Sequence, residues 1–462
     1  MIDMNENENK GLDFNRRDFL KSGSVATLMT VLGGGVEILA ETNAVPAGES
    51  KPAGPKLKVA VIGLGTRGRE IVNTLAQLPD AEIAAICDTY APMIRRCATS
   101  APGAAQTEDY KTVLDNKDIK AVIIATPTHQ HKDLVIAALK AGKHVYCEAP
   151  LAHTIEDAKA IALAAKETKQ FVFQAGLQMR SDKQRHFLFP FIRSGALGPA
   201  VMARAQFHKK QSWRATSPKP EREKELNWRL EKALSIGLVG EIGIHAIDQA
   251  AWLLNIKPVS VMGFGSITFW KDGREVPDTA HAVIEFPGGV FMNYDATLAN
   301  SFDAEYEILF GSDAAVMLRE SKAWMFKEAD SPLLGWEVYA RKETFYKETG
   351  IALVANASKS VNAAQVEESP FKNTPLFYAL NNFVKTSADV TAAKEDFITN
   401  FGGDDQDALA EAAQKSHRLA VTGRAAAGYL EGYQATVTAI KANEAVVSGT
   451  KIELKPEWYE LS

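Results

Sequence analysis

The chain has 462 residues, of which 46% are hydrophobic and 24% are charged, and its formal net charge is -5. This composition is typical of a globular protein with two domains, and the acidic balance argues against nucleic acid or an anionic membrane as a general partner. The three cysteines are Cys87, Cys97 and Cys147. Because two of them end apolar runs, we expect buried thiols rather than disulfides or metal ligands.

Residues 1–54 predict a targeting segment and a linker. The run Asn15-Arg16-Arg17-Asp18-Phe19-Leu20-Lys21 precedes an uncharged stretch, residues 22–36, and small residues follow near Thr42 and Ala44. This pattern resembles a twin-arginine export signal, which implies the twin-arginine export machinery as a partner and a periplasmic or otherwise exported protein that folds before transport. An uncleaved membrane anchor and a tail with an incidental Arg-Arg pair are the alternatives.

Apolar strands and helical patterns alternate from Leu57 to Gly176. Short runs that are apolar on both faces are what a parallel sheet covered by helices requires. Residues 55–176 are therefore predicted to form a doubly wound Rossmann domain, with its ligand at the carboxyl ends of the strands. The expected strands are Leu57–Ile62, Ile83–Cys87, Ala121–Ala125, His144–Cys147 and Phe171–Gln174.

The run Gly63-Leu64-Gly65-Thr66-Arg67-Gly68 lies between the first strand and a helical pattern. Gly63 permits a tight turn, Gly65 lets the backbone approach a pyrophosphate, and Gly68 lets helix and strand pack closely. Asp88 ends the second strand, where a carboxylate accepts hydrogen bonds from ribose hydroxyls and repels a 2′-phosphate. The sequence therefore predicts a dinucleotide site that prefers NAD to NADP, with Thr66 and Arg67 among its contacts.

After Gly176 the pattern changes to long strands joined by turns. A helical stretch through Arg193 precedes these strands, and helical patterns return from Thr374 and include residues 425–442. Residues 320–368 show no sustained period. Residues 177–462 are thus predicted to form a second α/β domain whose open, mostly antiparallel sheet covers the nicotinamide or joins a homo-oligomer. The expected strands are Val201–His208, Val259–Phe269, His281–Phe286, Val290–Thr297, Tyr306–Phe310 and Ala315–Leu318.

Four motifs in combination resemble the glucose-fructose oxidoreductase, inositol dehydrogenase and rhizopine catabolism (Gfo/Idh/MocA) family. The resemblance extends from Lys56 to about Leu318, with a looser match in the C-terminal helices. It implies a Rossmann domain, a second α/β domain and NAD(P)-linked chemistry on sugars, polyols or related molecules. The motifs are the glycine turn, Thr126-Pro127-Thr128-His129-Gln130-His131, Ala141-Gly142-Lys143-His144-Val145-Tyr146-Cys147-Glu148-Ala149-Pro150 and Gly240-Glu241-Ile242-Gly243-Ile244-His245-Ala246-Ile247-Asp248.

The resemblance also implies roles for single residues. Thr126, Pro127 and His131 would line the nicotinamide side of the cleft, and Glu148 would hold the ribose or the nicotinamide amide. His131 has an alternative interpretation as a cap of the helix that it begins. At Ala149 the chain departs from the family, which usually has a lysine that bridges the reacting hydroxyl and the cofactor.

Glu241, His245 and Asp248 form a second candidate group. On one continuous helix, offsets of four and seven residues place all three side chains on one face. Oxidation of an alcohol requires a base for the hydroxyl proton, and His245 matches the family's catalytic histidine. We therefore predict His245 as the acid/base, with Glu241 and Asp248 orienting it or the sugar. A buried helix face with a satisfied histidine is the alternative, and no metal site is predicted.

Polar and aromatic residues that bind a sugar are expected between the two domains. Aromatic faces pack against the C–H faces of a sugar ring, and arginines donate to its hydroxyls. Arg180 is favoured because it follows a strand at the mouth of the cleft, whereas a core role is the alternative for the tryptophans. The candidates are Gln178, Arg180, Trp213, Arg214, Trp228 and Arg229.

These features predict an exported oxidoreductase that moves hydride between NAD(H) and a carbohydrate carbon, by glucoside 3-oxidation or by sugar transhydrogenation. The cofactor is expected to be tightly bound because no nicotinamide pool exists outside the cytoplasm. One alternative is an NAD-dependent glycosidase that oxidises a ring carbon transiently, eliminates the aglycone and returns the hydride. A second alternative, which Ala149 favours, is a non-catalytic sugar or redox sensor.

Overall fold

The computed structural model describes residues 56–217, 219–320, 322–335, 337, 342–345, 348–352 and 371–461. The predicted export signal and linker lie outside these residues. The chain forms two compact units. Among the described residues, the larger unit comprises those of Ser50–His186, Ala203–Glu307 and Phe371–Ser462, and the smaller unit comprises those of Phe187–Met202 and Ile308–Pro370.

The first sheet of the larger unit has six parallel strands in the order β3-β2-β1-β4-β5-β6. Chain order reverses between β1 and β4, and ligands of open α/β sheets bind at the carboxyl ends of the strands at such a reversal. The strands are β1 (Leu57–Ile62), β2 (Ala81–Cys87), β3 (Ala105–Thr107), β4 (Ala121–Ile124), β5 (His144–Cys147) and β6 (Phe173–Ala175).

Helices cover both faces of this sheet because its strands are apolar on both sides. Val59 and Val61 of β1 belong to one hydrophobic core, whereas Ala60 and Ile62 belong to another. The doubly wound Rossmann prediction is thereby confirmed. The helices between the strands are α1 (Thr66–Leu75), α2 (Ala91–Ala98), α3 (Tyr110–Asp115), α4 (His131–Lys140) and α5 (Ile155–Glu167).

In the larger unit, a second sheet has the strand order β7-β10-β9-β8-β16, and the pairs β8–β9, β9–β10 and β8–β16 are antiparallel. Its residues alternate between a buried and an exposed face, as an antiparallel sheet with one open side requires. Ile284 and Met292 are buried, whereas Phe264 and Phe291 are exposed. The strands are β7 (Ala200–His208), β8 (Ser260–Ser266), β9 (Thr279–Phe286), β10 (Val290–Thr297) and β16 (Ile452–Glu453).

The smaller unit contains strands in the order β14-β15-β13-β12-β11. Three of them lie in residues 320–368, where the sequence shows no sustained period and predicted no particular element. These strands do not alternate strictly between polar and apolar residues, as the sequences KAWMFK, KETF and ETGIA show, so they lack the usual strand signal. The strands are β11 (Glu305–Gly311), β12 (Ala314–Arg319), β13 (Lys322–Lys327), β14 (Lys342–Phe345) and β15 (Glu348–Ala352).

The remaining helices follow β6. The last of them contacts α5 and β8, and so packs on both the Rossmann sheet's covering layer and the second sheet. All three cysteines are buried free thiols, as expected. The helices are α6 (Lys183–Arg193), α7 (Pro220–Leu226), α8 (Gly237–Glu241), α9 (Gly243–Leu254), α10 (Pro375–Phe401), α11 (Gln406–Gly423) and α12 (Tyr429–Ser448).

Candidate active site

The glycine turn joins β1 to α1 and has the shape that the sequence predicts. Gly63 has a φ of +92°, and a Cβ there would lie 2.7 Å from the backbone of Ala125. A Cβ on Gly68 would lie 1.9 Å from the carbonyl oxygen of Gly63. At Gly65, in contrast, no atom lies within 4 Å of a Cβ position, so the backbone there is open to a ligand.

The surroundings of the turn fit a dinucleotide. Helix α1 begins at Thr66, no side chain caps it, and its first turn contains no acidic residue. Its N-terminal N–H groups and partial positive charge therefore suit a phosphate. At the end of the neighbouring strand β4, the hydroxyl of Thr126 is buried without a hydrogen-bond partner in the protein. An unpaired buried hydroxyl indicates a place where a bound ligand supplies the partner.

Asp88 lies beside the turn, as predicted for a ribose-binding carboxylate. Its two oxygens accept hydrogen bonds from the backbone N–H groups of Leu64 and Tyr90, each at 2.8 Å. The guanidinium of Arg222 lies 3.5 Å from the same carboxylate. Asp88 is thus fixed against the glycine turn and carries a cationic neighbour that spacing along the sequence did not predict.

Arg67 connects the glycine turn to the segments that follow β5 and β6. Its Nε donates to Glu148 at 3.1 Å, Nη2 donates to the amide oxygen of Gln178 at 2.8 Å, and Nη1 donates to Glu70 at 2.8 Å. Burial alone lowers the pKa of Arg67, but Glu148, Tyr146 and Glu70 outweigh burial and raise it. Burial raises the pKa of Glu148, while Arg67 opposes that rise. Glu148 and Gln178 thereby meet at one arginine.

His131 holds two backbone segments together. Its Nε2 lies 3.0 Å from the carbonyl oxygen of Thr126, and its Nδ1 lies 3.1 Å from that of Pro150. Burial lowers the pKa of the imidazole to about 4, so the ring is neutral near pH 7. Both nitrogens face carbonyls rather than the N–H groups that a helix cap would bind. Contact of His131 with a cofactor stays a prediction.

Glu241 and His245 do not share one helix. Helix α8 ends at Glu241, and α9 begins at Gly243, so the premise of a continuous helix was wrong. The break accompanies a close approach, because a Cβ on Gly243 would lie 2.8 Å from the ring of Tyr294. The carboxylate of Glu241 accepts from the hydroxyl of Thr128 at 3.1 Å. Glu241 is thereby directed toward the segment after β4.

The surroundings of the His245 ring lower its pKa and keep it uncharged near pH 7. Burial first, and then the positive charge of Arg67, lowers its pKa to about 4. Its Nδ1 is buried and has no hydrogen-bond partner in the protein. No hydrogen bond or ion pair links it to Glu241 or Asp248, all three of which are described residues. His245 is therefore a neutral imidazole with an unpaired nitrogen near a cation.

Asp248 is occupied by Arg180. Nε and Nη2 of the arginine donate to the two carboxylate oxygens at 2.9 and 2.8 Å, and the guanidinium lies 5.6 Å from the ring centre of Trp252. Burial raises the pKa of Asp248, and Arg180 opposes that rise. Removing one member of such a buried pair typically costs about 3–5 kcal/mol. Arg180 and Asp248 thus stabilise the fold as an ion pair. The catalytic role of Asp248 and the substrate-binding role of Arg180 stay predictions.

The predicted sugar-binding tryptophans meet at Arg229. Its guanidinium lies 4.8 Å from the ring centre of Trp228 and 5.7 Å from that of Trp213, and its Nε lies 3.9 Å from Glu241. Trp213 has a φ of 65°, which is rare for a bulky residue and indicates a strongly determined conformation. These side chains connect to the candidate site through Glu241.

Arg214 is directed elsewhere. Its Nη2 donates to the carbonyl oxygen of Asp272, and its Nη1 lies 3.6 Å from Glu223. The side chain of Arg214 therefore contacts the connection between β8 and β9 rather than Trp228 and Arg229.

A cavity of about 580 Å³ lies along α9, α12 and the C-terminal segment. Of the predicted site residues, only Arg180 and Asp248 line it; the others in its wall include Trp252, Glu431 and Tyr459. The glycine turn and His245 are not in this wall. Arg180 therefore lines this cavity, which the glycine turn does not border.

Sequence reasoning missed several residues of this region. Thr128 binds Glu241, and His129 lies with its ring centre 5.8 Å from that of Trp228 and 6.1 Å from that of His153. The Nδ1 atoms of both histidines are buried without a partner. Thr128 and His129 belong to the same motif as Thr126 and His131, so the motif was a usable signal, whereas nothing in the spacing indicated His153.

The described residues meet the requirements of neither a metal site nor a membrane-spanning helix. They contain no group of three or more histidine, cysteine, aspartate or glutamate side chains arranged to hold a metal ion. None of their helices combines the length and the apolar character that crossing a membrane requires.

Two family models match the chain. Residues 57–176 match "Oxidoreductase family, NAD-binding Rossmann fold", and residues 190–316 match "GFO/IDH/MocA C-terminal domain". Together they match more than half of the chain. The protein belongs to the Gfo/Idh/MocA oxidoreductase family.

Curated relatives cover part of the chain. A levoglucosan dehydrogenase of Pseudarthrobacter phenanthrenivorans is 36% identical over 212 residues, which are 41% of this chain and 52% of that protein. An inositol 2-dehydrogenase of Salmonella typhimurium is 30% identical over 201 residues, which are 43% of this chain and 55% of that protein. The chain thus spans about half the length of the curated relatives it matches.

Solved structures resemble the protein over most of its length. An oxidoreductase domain protein from Kribbella flavida superposes with a TM-score of 0.63 at 19% identity, covering 87% of this chain and 100% of that one. A levoglucosan dehydrogenase in complex with NADH gives a TM-score of 0.62 at 19% identity, covering 87% and 99%. At this identity the likeness establishes the fold: a Rossmann sheet with a second α/β domain.

Proposed function

We propose that this protein is an NAD(H)-dependent oxidoreductase that acts on a hydroxyl-bearing carbon of a sugar, glycoside or polyol. The observation that carries the proposal is His245, a neutral, partly buried imidazole whose buried Nδ1 has no hydrogen-bond partner in the protein and whose pKa is lowered in part by the charge of Arg67. The family supports the class of chemistry, and the names of the relatives, levoglucosan and inositol dehydrogenases, support the class of substrate.

The residues near β1, β2 and β4 would hold the cofactor. The open backbone at Gly65 and the uncapped start of α1 at Thr66 would receive the pyrophosphate. Asp88 would accept from the ribose hydroxyls, and its charge favours NAD over NADP. Thr126, whose buried hydroxyl has no partner in the protein, would lie on the nicotinamide side. When bound, the nicotinamide supplies a hydride acceptor.

His245 would take the hydroxyl proton of the substrate. Because its pKa is about 4, its ring is unprotonated near neutral pH and can accept a proton at Nδ1, the nitrogen that the protein leaves unpaired. Glu241, held by Thr128, would orient the hydroxyls or the imidazole. The reverse transfer returns the proton from the same nitrogen.

Arg67 is our candidate for the role of the absent lysine. Ala149 has no donor or charge, but Glu148, its neighbour, binds the guanidinium of Arg67, whose charge also acts on His245. A cation in this position stabilises the developing alkoxide of the substrate. The departure at Ala149 is thus compatible with catalysis, because a positive charge remains in the cleft.

The sugar would lie against the cluster of Trp213, Trp228 and Arg229. Aromatic faces at 4.8 and 5.7 Å from one guanidinium offer both an apolar surface and hydrogen-bond donors for a polyhydroxylated ring. The ion pair of Arg229 with Glu241 connects this surface to the proposed acid/base.

The protein would work outside the cytoplasm as a homo-oligomer. Arg16 and Arg17 would direct export of the folded, cofactor-loaded chain by the twin-arginine route. The exposed face of β8, β9 and β10 presents Met262, Phe264, Val283 and Phe291, and a second copy would cover these apolar side chains. Sedimentation of the purified protein as a monomer would contradict the oligomer.

Incubation with a panel of glycosides and polyols tests the activity. We expect the absorbance of reduced nicotinamide to appear without release of aglycone. Aglycone release without net reduction would replace this proposal with the NAD-dependent glycosidase. Absence of both signals over a broad panel would support a sensor.

A further inference from the structure

We propose that Arg222, carried by helix α7, closes the adenosine end of the cofactor cleft and slows release of the dinucleotide. The inference rests on the proposed function, since it requires a dinucleotide at the glycine turn. It adds a residue outside the Rossmann motifs to the binding site and gives a structural cause for tight binding.

Arg222 contacts three consecutive residues that follow β2. Its Nη2 lies 3.5 Å from the carboxylate of Asp88, its Nη1 donates to the hydroxyl of Thr89 at 3.2 Å, and its guanidinium lies 5.0 Å from the ring centre of Tyr90. Only 18% of the side chain is exposed. In Rossmann domains the residues at this strand end hold the adenosine ribose. Arg222 therefore lies where a bound adenosine would meet the second domain.

The guanidinium also has a free donor. Its Nη1 is bound by Glu225 at 2.7 Å as well as by Thr89, but its Nε is buried and has no hydrogen-bond partner in the protein. Buried donors in proteins normally have an acceptor. A ribose hydroxyl beside Asp88 would provide one, because hydroxyl oxygens accept as well as donate.

Helix α7 is fixed to the second domain by its flanking residues, and we call residues 211–217 and 219–227 the strap. The Asn227 side chain binds the backbone N–H and carbonyl of Ala215 at 2.8 and 2.9 Å. Arg274, which pairs with Asp272 at 2.7 Å, also donates to the carbonyl oxygen of Ser212. Because the carbonyl oxygen of Asp272 also accepts from Arg214, two contacts hold the N-terminal end of the strap to the connection between β8 and β9. Asn227 ties the C-terminal end back to Ala215.

The two anchors give Arg222 its effect on release. Asp88 is fixed to the glycine turn by the N–H group of Leu64, whereas Arg222 is fixed through the strap to the connection between β8 and β9. A dinucleotide held between them leaves only after the contacts of Arg222 with Asp88 and Thr89 break. Because the strap holds Arg222 in place, these contacts slow dissociation of the dinucleotide.

Dissociation of NADH from the purified full-length protein tests the proposal, by mixing the NADH complex with excess NAD and following nicotinamide fluorescence. We expect Arg222→Ala to release NADH about 10-fold faster or more, the effect of losing a charge-assisted hydrogen bond. Arg222→Lys retains the charge but lacks Nε, and its rate should be intermediate. Lys224→Ala, an exposed change on the same helix, is the matched control and should release NADH at the wild-type rate.

The outcomes separate this inference from the proposed function. Equal release rates for the wild type and a folded Arg222→Ala variant would overturn the role of Arg222 and leave NAD(H) binding intact. Failure of the wild type to bind NADH would overturn both. A faster rate in Lys224→Ala as well would show that any change in α7 loosens the site and would also overturn the specific role of Arg222.

Discussion

His131 and His245 are two neutral histidines whose ring nitrogens have different surroundings. Burial lowers the pKa of each to about 4, so both rings are neutral near pH 7. The nitrogens of His131 face two carbonyls, whereas Nδ1 of His245 has no protein partner. A neutral imidazole serves as a base only when one nitrogen is free, so hydrogen bonding rather than pKa distinguishes them.

We expect His245→Ala to slow substrate oxidation by roughly 10²–10⁴, the usual contribution of general base catalysis. Content of bound cofactor should stay at the wild-type value, because His245 is not among the residues proposed to hold it, which are those of the Rossmann motifs and Arg222. Single-turnover absorbance on a substrate that the wild type oxidises, with cofactor quantified after denaturation, gives both measurements. Full activity of the variant would remove His245 from the mechanism.

The same residue predicts a pH dependence. Protonation of His245 disables it as a base, so the oxidation rate should be flat from neutral pH to about 5 and fall as the pH decreases through about 4. Arg67 is the charged group that acts on His245, and its positive charge opposes protonation. A descending acidic limb near pH 6.5, the ordinary histidine value, would contradict the burial of this ring.

At the scale of elements, the three glycines of the turn between β1 and α1 differ in what surrounds them: two are required for packing, and one faces the proposed cofactor site. Gly63 and Gly68 are glycines because other atoms occupy the position of a Cβ, whereas Gly65 faces open space with an ordinary negative φ of -61°. Only Gly65 is therefore free to accept a methyl group without a clash in the protein itself.

We expect Gly65→Ala to fold with a melting temperature close to that of the wild type but to lose at least 10-fold in NADH affinity, because the added methyl occupies the approach of the pyrophosphate. Gly68→Ala is the contrasting variant, and its clash with the Gly63 carbonyl should lower the melting temperature. Thermal unfolding and NADH titration of both variants check this. Normal NADH affinity in Gly65→Ala would place the pyrophosphate elsewhere.

The connection between β8 and β9 is held by one buried carboxylate. Asp278 accepts from the backbone N–H groups of Thr268, Phe269 and Trp270. Burial raises its pKa, but these hydrogen bonds outweigh burial and lower it to about 2. A depressed folded-state pKa stabilises the fold above the unfolded value near 3.8 and loses that effect as the pH falls toward 2.

Asp278→Asn removes this titration. We therefore expect the free-energy difference in unfolding between wild type and variant to decrease by about 2 kcal/mol between pH 4.5 and pH 2. Urea unfolding of both proteins across this range measures the difference. A difference that is independent of pH would mean that Asp278 is not held as a carboxylate.

The strands of the Rossmann sheet were predictable because each carries its own apolar signal. β1 matches its expected bounds, and Cys87 and Cys147 end their strands as expected. The short edge strand β3 was missed because its residues are exposed or half-buried. The hydrogen-bond partners of the candidate-site side chains were not predictable from the sequence. Arg67, for example, donates to Glu148 and Gln178, which lie 81 and 111 residues further along the chain. The hydrogen bond between Glu241 and Thr128 spans 113 residues, and the break at Ile242 left no trace in the spacing.

On the scale of the whole molecule, the proposed export signal and the proposed active site occupy separate parts of the chain. Every described residue that we place in the site lies after residue 62, and the arginine pair lies at positions 16 and 17. A protein that carries its cofactor out of the cytoplasm has to fold around it first, which agrees with a twin-arginine route and with slow release of the dinucleotide.

Replacing Arg16 and Arg17 by lysine should therefore retain active, cofactor-loaded enzyme in the cytoplasm. Deletion of residues 1–44 should do the same and should leave the turnover of purified protein unchanged. Fractionation of cells followed by immunoblotting and activity assay measures both. Normal export of the lysine variant would contradict the targeting prediction.

The position of His131 has one more consequence. A neutral imidazole has a single N–H, so the ring donates either to Thr126 or to Pro150 and leaves the other carbonyl without that donor. Exchange between the two tautomers moves a hydrogen bond from the segment after β4 to the segment after β5. The segments after β4 and β5 therefore have two proton arrangements of equal charge, which nitrogen chemical shifts would distinguish even where no heavy atom moves.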